Sequence, residues 1–312
     1  AIEAVPCGRA PVLSSTTGGA KPASFIASLL NRQTHNNRAY RTGSALLPGV
    51  RACTRRTGEF AQCGQLEMLR ILLARHNAAS KAISATECNS KDADEAARNG
   101  YLETVQVMRA YGVPCTSTGA NAAAANGHLR VVQDLRECGV DCTSNGADWA
   151  AENGYLEVVR DLREHGIHCT AKGADQAAWK GHLEVVRDLR AHGIQCTSEG
   201  ADYAAARCHL HVVRDLRNHG IHATSQGADW AARNGYLEAI HDLRTNGVHC
   251  TSLGANLAAS HGWLDIVHDL RAHSIDCTPL GPDWAAKKGC LEAIRDLRAH
   301  DIHCTSRGAN WA

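Results

Sequence analysis

Histidine, cysteine and arginine recur at fixed intervals along this chain, and the spacing decides what chemistry they can do. The run His165-Gly-Ile-His168-Cys169 is echoed at His219 and His222, at His249 and Cys250, and at His300, His303 and Cys304. Zinc needs three or four such ligands converging at about 2.0–2.3 Å. Copies of the run carried on stacked helices stand roughly 8–10 Å apart, too far for one ion to join them. A single copy is not a dependable set either, since Gln195, Asn246 and Asp276 occupy histidine slots and Ala223 a cysteine slot. A histidine capping the end of a helix beside a buried thiol accounts for the pattern, so no metal site and no cofactor is expected.

A Cys–His nucleophile would need one distinctive pocket, and a motif copied along the chain is not distinctive. Cys208, where other copies have a turn glycine, and Cys290, where they have Tyr155 or His182, read as drift. No catalytic residue is expected. Arg163 recurs at Arg109, Arg136, Arg190, Arg217, Arg244, Arg271 and Arg298, and Asp161 at Asp134, Asp188, Asp215, Asp242, Asp269 and Asp296. A row of arginines could grip phosphates, but the matching row of aspartates offers a counter-charge. Ion pairs between copies on the solvated side, worth about 0–1 kcal/mol each, are the preferred reading.

The elements that carry these residues follow from a 27-residue period. From Asp92 the phrase returns at Gly119, Gly146, Gly173, Gly200, Gly227, Gly254, Gly281 and Gly308. Each unit predicts two short helices. Thr143 and its equivalents, including Thr278 before Pro279, are N-caps, with proline welcome at the first helical position. The first helix runs to the turn at Asn153-Gly154, with Asp148 early in it on the favourable side of the helix dipole. The second carries an apolar stripe of Leu156, Val158, Val159 and Leu162 and stops at Gly166, with Ile167 packing back over its end. Ala147, Ala150 and Ala151 let helices approach closely. No unit buries such a stripe alone, so stacking is required. A diverged unit is visible over residues 60–80, and the absence of a polar cap after Gly308 leads us to expect that the chain continues past Ala312.

The stretch Trp149-Ala-Ala-Glu-Asn-Gly-Tyr-Leu-Glu-Val-Val resembles the ankyrin repeat, whose pattern pairs an Ala-Ala helix with a Gly-His-Leu-Glu-Val-Val turn and a terminal His-Gly. Ankyrin units run 33 residues with a β-hairpin after the second helix. Here the link between units is six residues shorter and the Thr-Pro-Leu-His motif is absent, as in compact ankyrin-like repeats of protist and giant-virus type. The resemblance covers residues 60–312 and implies an all-α helix-turn-helix solenoid that binds protein partners, with no shared chemistry.

Binding is better read from what varies. One first-helix slot holds Glu95, Ala122, Trp149, Gln176, Tyr203, Trp230, Leu257, Trp284 and Trp311, and a neighbouring slot holds Trp179 among small and charged residues. A slot that accepts Trp, Gln and Glu does not suit a uniformly dry core, and tryptophan is favoured at interface hot spots. Trp149, Trp179, Tyr203, Trp230, Trp284 and Trp311 are therefore the candidate partner-binding residues. The competing reading is that these rings fill space left by Ala and Gly.

Residues 1–58, the expected first segment beside a solenoid over 59–312, differ in kind. They hold eight of the 33 Lys and Arg residues and one of the 32 acids, which leaves 25 basic against 31 acidic residues in the remainder. Such an extended basic arm resembles an organelle transit peptide or an extension that threads into a larger assembly. It also makes nucleic-acid association the competing function. Aromatic residues are 4% of the chain, and no apolar run approaches the ~18 residues of a membrane span. The repeating cysteines read as buried reduced thiols of an intracellular compartment, organellar or virus-associated if the arm is an address or an assembly element, otherwise cytoplasmic. The expectation is a non-enzymatic scaffold within a multi-protein assembly.

Overall fold

The protein is described by a computed structural model over residues 66–67 and 89–310. The basic arm, Cys88, Trp311 and all of the diverged unit but Leu66 and Glu67 lie outside the described residues. Seventeen helices follow one another from Ser90 to Ala309. The first helices of successive repeats are α1 (Ser90–Arg98), α3 (Ser117–Ala125), α5 (Ser144–Glu152), α7 (Ala171–Lys180), α9 (Ser198–Ala206), α11 (Ser225–Asn234), α13 (Ser252–Ser260) and α15 (Leu280–Lys288). Their partners are α2 (Leu102–Ala110), α4 (Leu129–Glu137), α6 (Leu156–Glu164), α8 (Leu183–Ala191), α10 (Leu210–Asn218), α12 (Leu237–Thr245), α14 (Leu264–Ala272) and α16 (Leu291–Ala299). The short α17 (Ser306–Ala309) begins a ninth repeat. There is no strand among the described residues, so each ankyrin-like unit is a bare helix pair.

Threonine starts the first helices as expected. The hydroxyl of Thr224 accepts from the backbone N–H of Gln226 at 3.2 Å, and Thr116, Thr197, Thr251 and Thr305 do the same in their repeats. At Thr278 the Leu280 N–H reaches the hydroxyl at 3.4 Å across Pro279, which sits at φ −55° as a first helical residue should. Both helices of a pair end in the same way. Gly166, at φ +81°, donates to Arg163 O, and Ile167 donates to Leu162 O, the paired bonds of a Schellman stop. Gly154 and Tyr155 close the first helix of the same repeat onto Ala151 and Ala150.

The core lies between the two helix rows. Ala147, Ala150 and Ala151 are fully buried, and Val158, Val159 and Leu162 face them. Leu156 is only half-buried, so the stripe is centred one position later than the sequence pattern suggests. First helices pack side by side along the stack. The side-chain oxygen of Asn121 comes so close to Gly146 that a Cβ at that glycine would overlap it. Second helices stand farther apart and are joined chiefly by polar side chains.

Candidate partner-binding face

The constant polar residues are committed to joining one repeat to the next. Asp202, buried in α11's neighbour α9, accepts the N–H of Thr224 at 2.6 Å and its hydroxyl at 2.7 Å. The same clasp joins Asp94 to Thr116, Asp148 to Thr170, Asp175 to Thr197, Asp229 to Thr251 and Asp283 to Thr305. At Asn121 and Asn256 the direction of one bond reverses: the amide donates to the hydroxyl of Thr143 or Thr278, at 2.9 and 2.8 Å. Asp148 is thus more than a helix-dipole charge; it holds the N-cap of the following repeat.

The arginine and aspartate rows also pair across repeats. Arg190 bonds Asp215 at 2.5 Å and Arg217 bonds Asp242 at 2.8 Å, with equivalent bridges from Arg109, Arg136, Arg163, Arg244 and Arg271. Each carboxylate takes a second donor from the previous repeat, for example Arg187 on Asp215 at 2.9 Å, Gln133 on Asp161 at 2.9 Å and His268 on Asp296 at 2.7 Å. The expected location on the solvated side needs correction, because the Asp215 side chain is only 8% exposed. The alkyl stems and planar guanidiniums of two arginines shield it. Burial alone would push the Asp215 carboxyl up, but Arg190 and Arg187 outweigh it and hold the group below the ordinary carboxylate range. Phosphate has no place on arginines already occupied in this way.

The histidines at second-helix ends bond locally. The Nδ1 of His165 lies 2.7 Å from Asp161 O and that of His219 2.7 Å from Asp215 O, so each ring N–H donates to a carbonyl at the helix end. Among the described residues no group of three or more His, Cys, Asp and Glu side chains converges to hold a metal ion. Burial pushes the thiols of Cys115, Cys142, Cys169, Cys196, Cys250 and Cys277 up to about 12, where almost no thiolate exists at neutral pH.

The first helices carry the variable surface. Trp149 is 44% exposed on α5. Trp179 on α7, Tyr203 on α9, Trp230 on α11 and Trp284 on α15 are half-buried. Tyr203 and Trp230 stack in parallel, with ring centroids 5.5 Å apart and planes within 5°. Together with Trp179, Ala206, Arg233 and Asn234 they line a cleft of ≈ 190 Å³. The Arg207 guanidinium lies 4.2 Å from the Trp179 ring centre and the Lys180 ammonium 5.3 Å from it. The structure therefore gathers Trp179, Tyr203 and Trp230 into one cluster and leaves Trp149 and Trp284 apart from it. The clustered rings fill space between helices, while Trp149 leaves much of its surface in water.

Two features of this surface were not singled out from the sequence, although Arg233 lies in the same variable slot as Trp179. Arg207 and Arg233 extend the aromatic cluster with positive charge, and the run of first-helix C-termini bearing Lys180, Arg207, Arg233 and Lys288 is the signal that could have found them. Trp263 is 44% exposed at the start of α14, lies over Gly235 and donates its indole N–H to Arg233 O at 3.1 Å. His182, His209 and Tyr155 stand over turn glycines in the same way, which makes this slot a stacking position between repeats.

No family model and no curated protein matches the chain. Among solved structures it is similar to the human ASB11 ankyrin repeat domain, at 20% identity and a TM-score of 0.43, over 50% of this chain and 84% of that one. Among the described residues no helix is long and apolar enough to cross a membrane.

Proposed function

We propose that the protein is a non-enzymatic scaffold whose first-helix face binds protein partners, with residues 1–58 tying it into a larger assembly. One observation carries this reading. The constant Asp and Thr side chains, the arginines from Arg109 to Arg271 and the histidines at second-helix ends are taken up in bonds between or within repeats, whereas Trp149 and the cluster of Trp179, Tyr203 and Trp230 vary from repeat to repeat and reach the surface. A surface of variable aromatic residues on a rigid stack is how repeat proteins generate specificity. Inert buried thiols favour a reducing, intracellular setting. The test is capture of partners from the native source by the full chain and by Trp149→Ala. Trp149 is exposed, so the substitution leaves the fold intact and is expected to reduce retention of the partners, while Glu157→Ala on the second-helix side leaves it unchanged. Equal retention by both variants refutes the reading.

Nucleic-acid association through residues 1–58 is the second reading, favoured by their excess of seven positive charges. It predicts binding that weakens steeply with salt and disappears when those residues are removed.

A further inference from the structure

Resting on that reading, we infer that the cleft formed by Trp179, Tyr203 and Trp230 takes an extended acidic peptide segment of a partner, its carboxylates bound by Arg207 and Arg233 beside an apolar anchor on the rings.

The argument begins with charge. The second-helix arginines of the row from Arg109 to Arg271 each meet an aspartate, whereas Arg207 and Arg233 are exposed and have no carboxylate within ion-pair distance among the described residues. Both stand where first helices end, on consecutive repeats, beside the aromatic cleft. Lys180, adjacent to the same ring, meets Glu152 only at 3.7 Å with both groups partly exposed. Unneutralised guanidiniums fixed next to half-buried rings form a site for an anion attached to an apolar group. Helices one repeat apart are roughly 8–10 Å apart. An extended peptide rises about 3.3 Å per residue, so carboxylates two or three residues apart would span the two arginines.

Aromatic residues interleaved with arginine also suit single-stranded nucleic acid, which stacks bases on free ring faces. Here one face of Tyr203 and one of Trp230 are taken by their mutual stack, and Trp179 carries Arg207 and Lys180 against its ring, which reduces the free ring area. Residues 59–312 also hold 31 acids against 25 basic residues, so a long polyanion is repelled on average where a short acidic segment is not. The remaining ring surface and the cations match aliphatic or aromatic side chains flanked by Asp or Glu.

The probe is a displayed library of random peptides selected on the full chain and on Arg207→Glu/Arg233→Glu. Both positions are exposed, so the double variant should keep the wild-type melting curve, and this is measured first. Peptides selected by the wild type are expected to carry Asp or Glu two to three residues apart next to a large apolar residue. Synthetic versions should bind the double variant at least about ten-fold more weakly and lose affinity when Asp and Glu are replaced by Asn and Gln. Selected peptides without acidic excess, or binding indifferent to the double substitution, overturn the proposal. So does tight binding of a labelled oligothymidylate that depends on the same two arginines. If the peptide results fail while Trp149→Ala still impairs capture of native partners, only the acidic-peptide assignment falls. If Trp149→Ala has no effect, the partner-binding face itself falls.

Discussion

Replacing Asp202 by alanine and by asparagine separates two explanations of the clasp between repeats. Asp202 is 3% exposed and accepts the N–H and hydroxyl of Thr224. Alanine removes both acceptors and leaves a small void. A buried donor left without a partner costs about 1–3 kcal/mol, but Thr224 lies near the surface, where water can reach part of it. Alanine returns a few tenths of a kcal/mol in helix propensity. The expected loss is therefore about 2–3 kcal/mol. Asparagine keeps two bonds with the hydroxyl bond reversed, as the chain itself does at Asn121 and Asn256. It also avoids burying a charge: burial raises the Asp202 carboxyl above its usual range despite the bonds from Thr224. The asparagine variant should stay within about 1 kcal/mol of the parent. Urea unfolding of the full chain followed by circular dichroism gives the totals. Hydrogen exchange at the amides of Thr224 and Gln226 shows whether the change is local to this joint, since repeat stacks need not unfold in one step. Equal losses for the two variants would mean that the negative charge, not the hydrogen-bond frame, holds the repeats together.

Four further outcomes follow. A Cβ at Gly227 would lie 2.5 Å from Asp202 Oδ1 and 2.8 Å from its Cα, so Gly227→Ala should destabilise by more than the ~1 kcal/mol it returns in helix propensity. Gly220→Ala, at φ +81° with open space, should cost only about 1–2 kcal/mol by thermal melting, and Ser274 and Asp301 already hold that conformation in their repeats. In acid, burial is outweighed by arginine and other donors at Asp134, Asp161, Asp188, Asp215, Asp242, Asp269 and Asp296, whose carboxyls all sit below the ordinary range. Their stabilisation is complete above the unfolded value of about 4 and is lost as pH falls through the folded values. Asp175 and Asp202, raised by burial, act in the opposite sense but are outnumbered, so circular dichroism should show unfolding below about pH 4. Iodoacetamide at neutral pH should label exposed Cys138 and spare Cys196 until the chain unfolds, as read by peptide mapping.

The local grammar of the repeat was legible in advance because it depends on neighbours in sequence. Thr116, Thr197, Thr224, Thr251 and Thr305 cap, whereas Thr143 and Thr170 hold the N-cap position without a side-chain capping bond; Gly166 stops, and Thr278 with Pro279 marks the helix start. The Arg–Asp pairing could be read from two rows of constant spacing. The clasp could not be located, because Asp202 meets Thr224 only once repeats are stacked, and an aspartate early in a helix already has a local explanation in the dipole. A signal did exist: the slot admits Asp or Asn alone, from Asp94 to Asp283, and the threonine 22 residues later never varies. The depth of Asp215 was hidden for a related reason, since it is covered by side chains of the preceding repeat. The aromatic cluster was half-legible. Trp179, Tyr203 and Trp230 were singled out by type, but Arg207 over Trp179 joins different slots of adjacent units, which no single column of the repeat reveals.

The central claim, that partners meet the first-helix face, is tested most directly by cross-linking mass spectrometry on the full chain in its native complexes. All lysines of the described residues, Lys91, Lys172, Lys180, Lys287 and Lys288, lie on first helices, whereas Glu157, Glu184, Glu238 and Glu292 are exposed on second helices. A reagent pair that reacts with amines and with carboxylates therefore samples both sides of the stack. The account predicts links to other chains from Lys172, Lys180 and Lys287, with the second-helix glutamates free of them. Reproducible links from Glu157, Glu184 and Glu238, with the lysines unlinked, would contradict it.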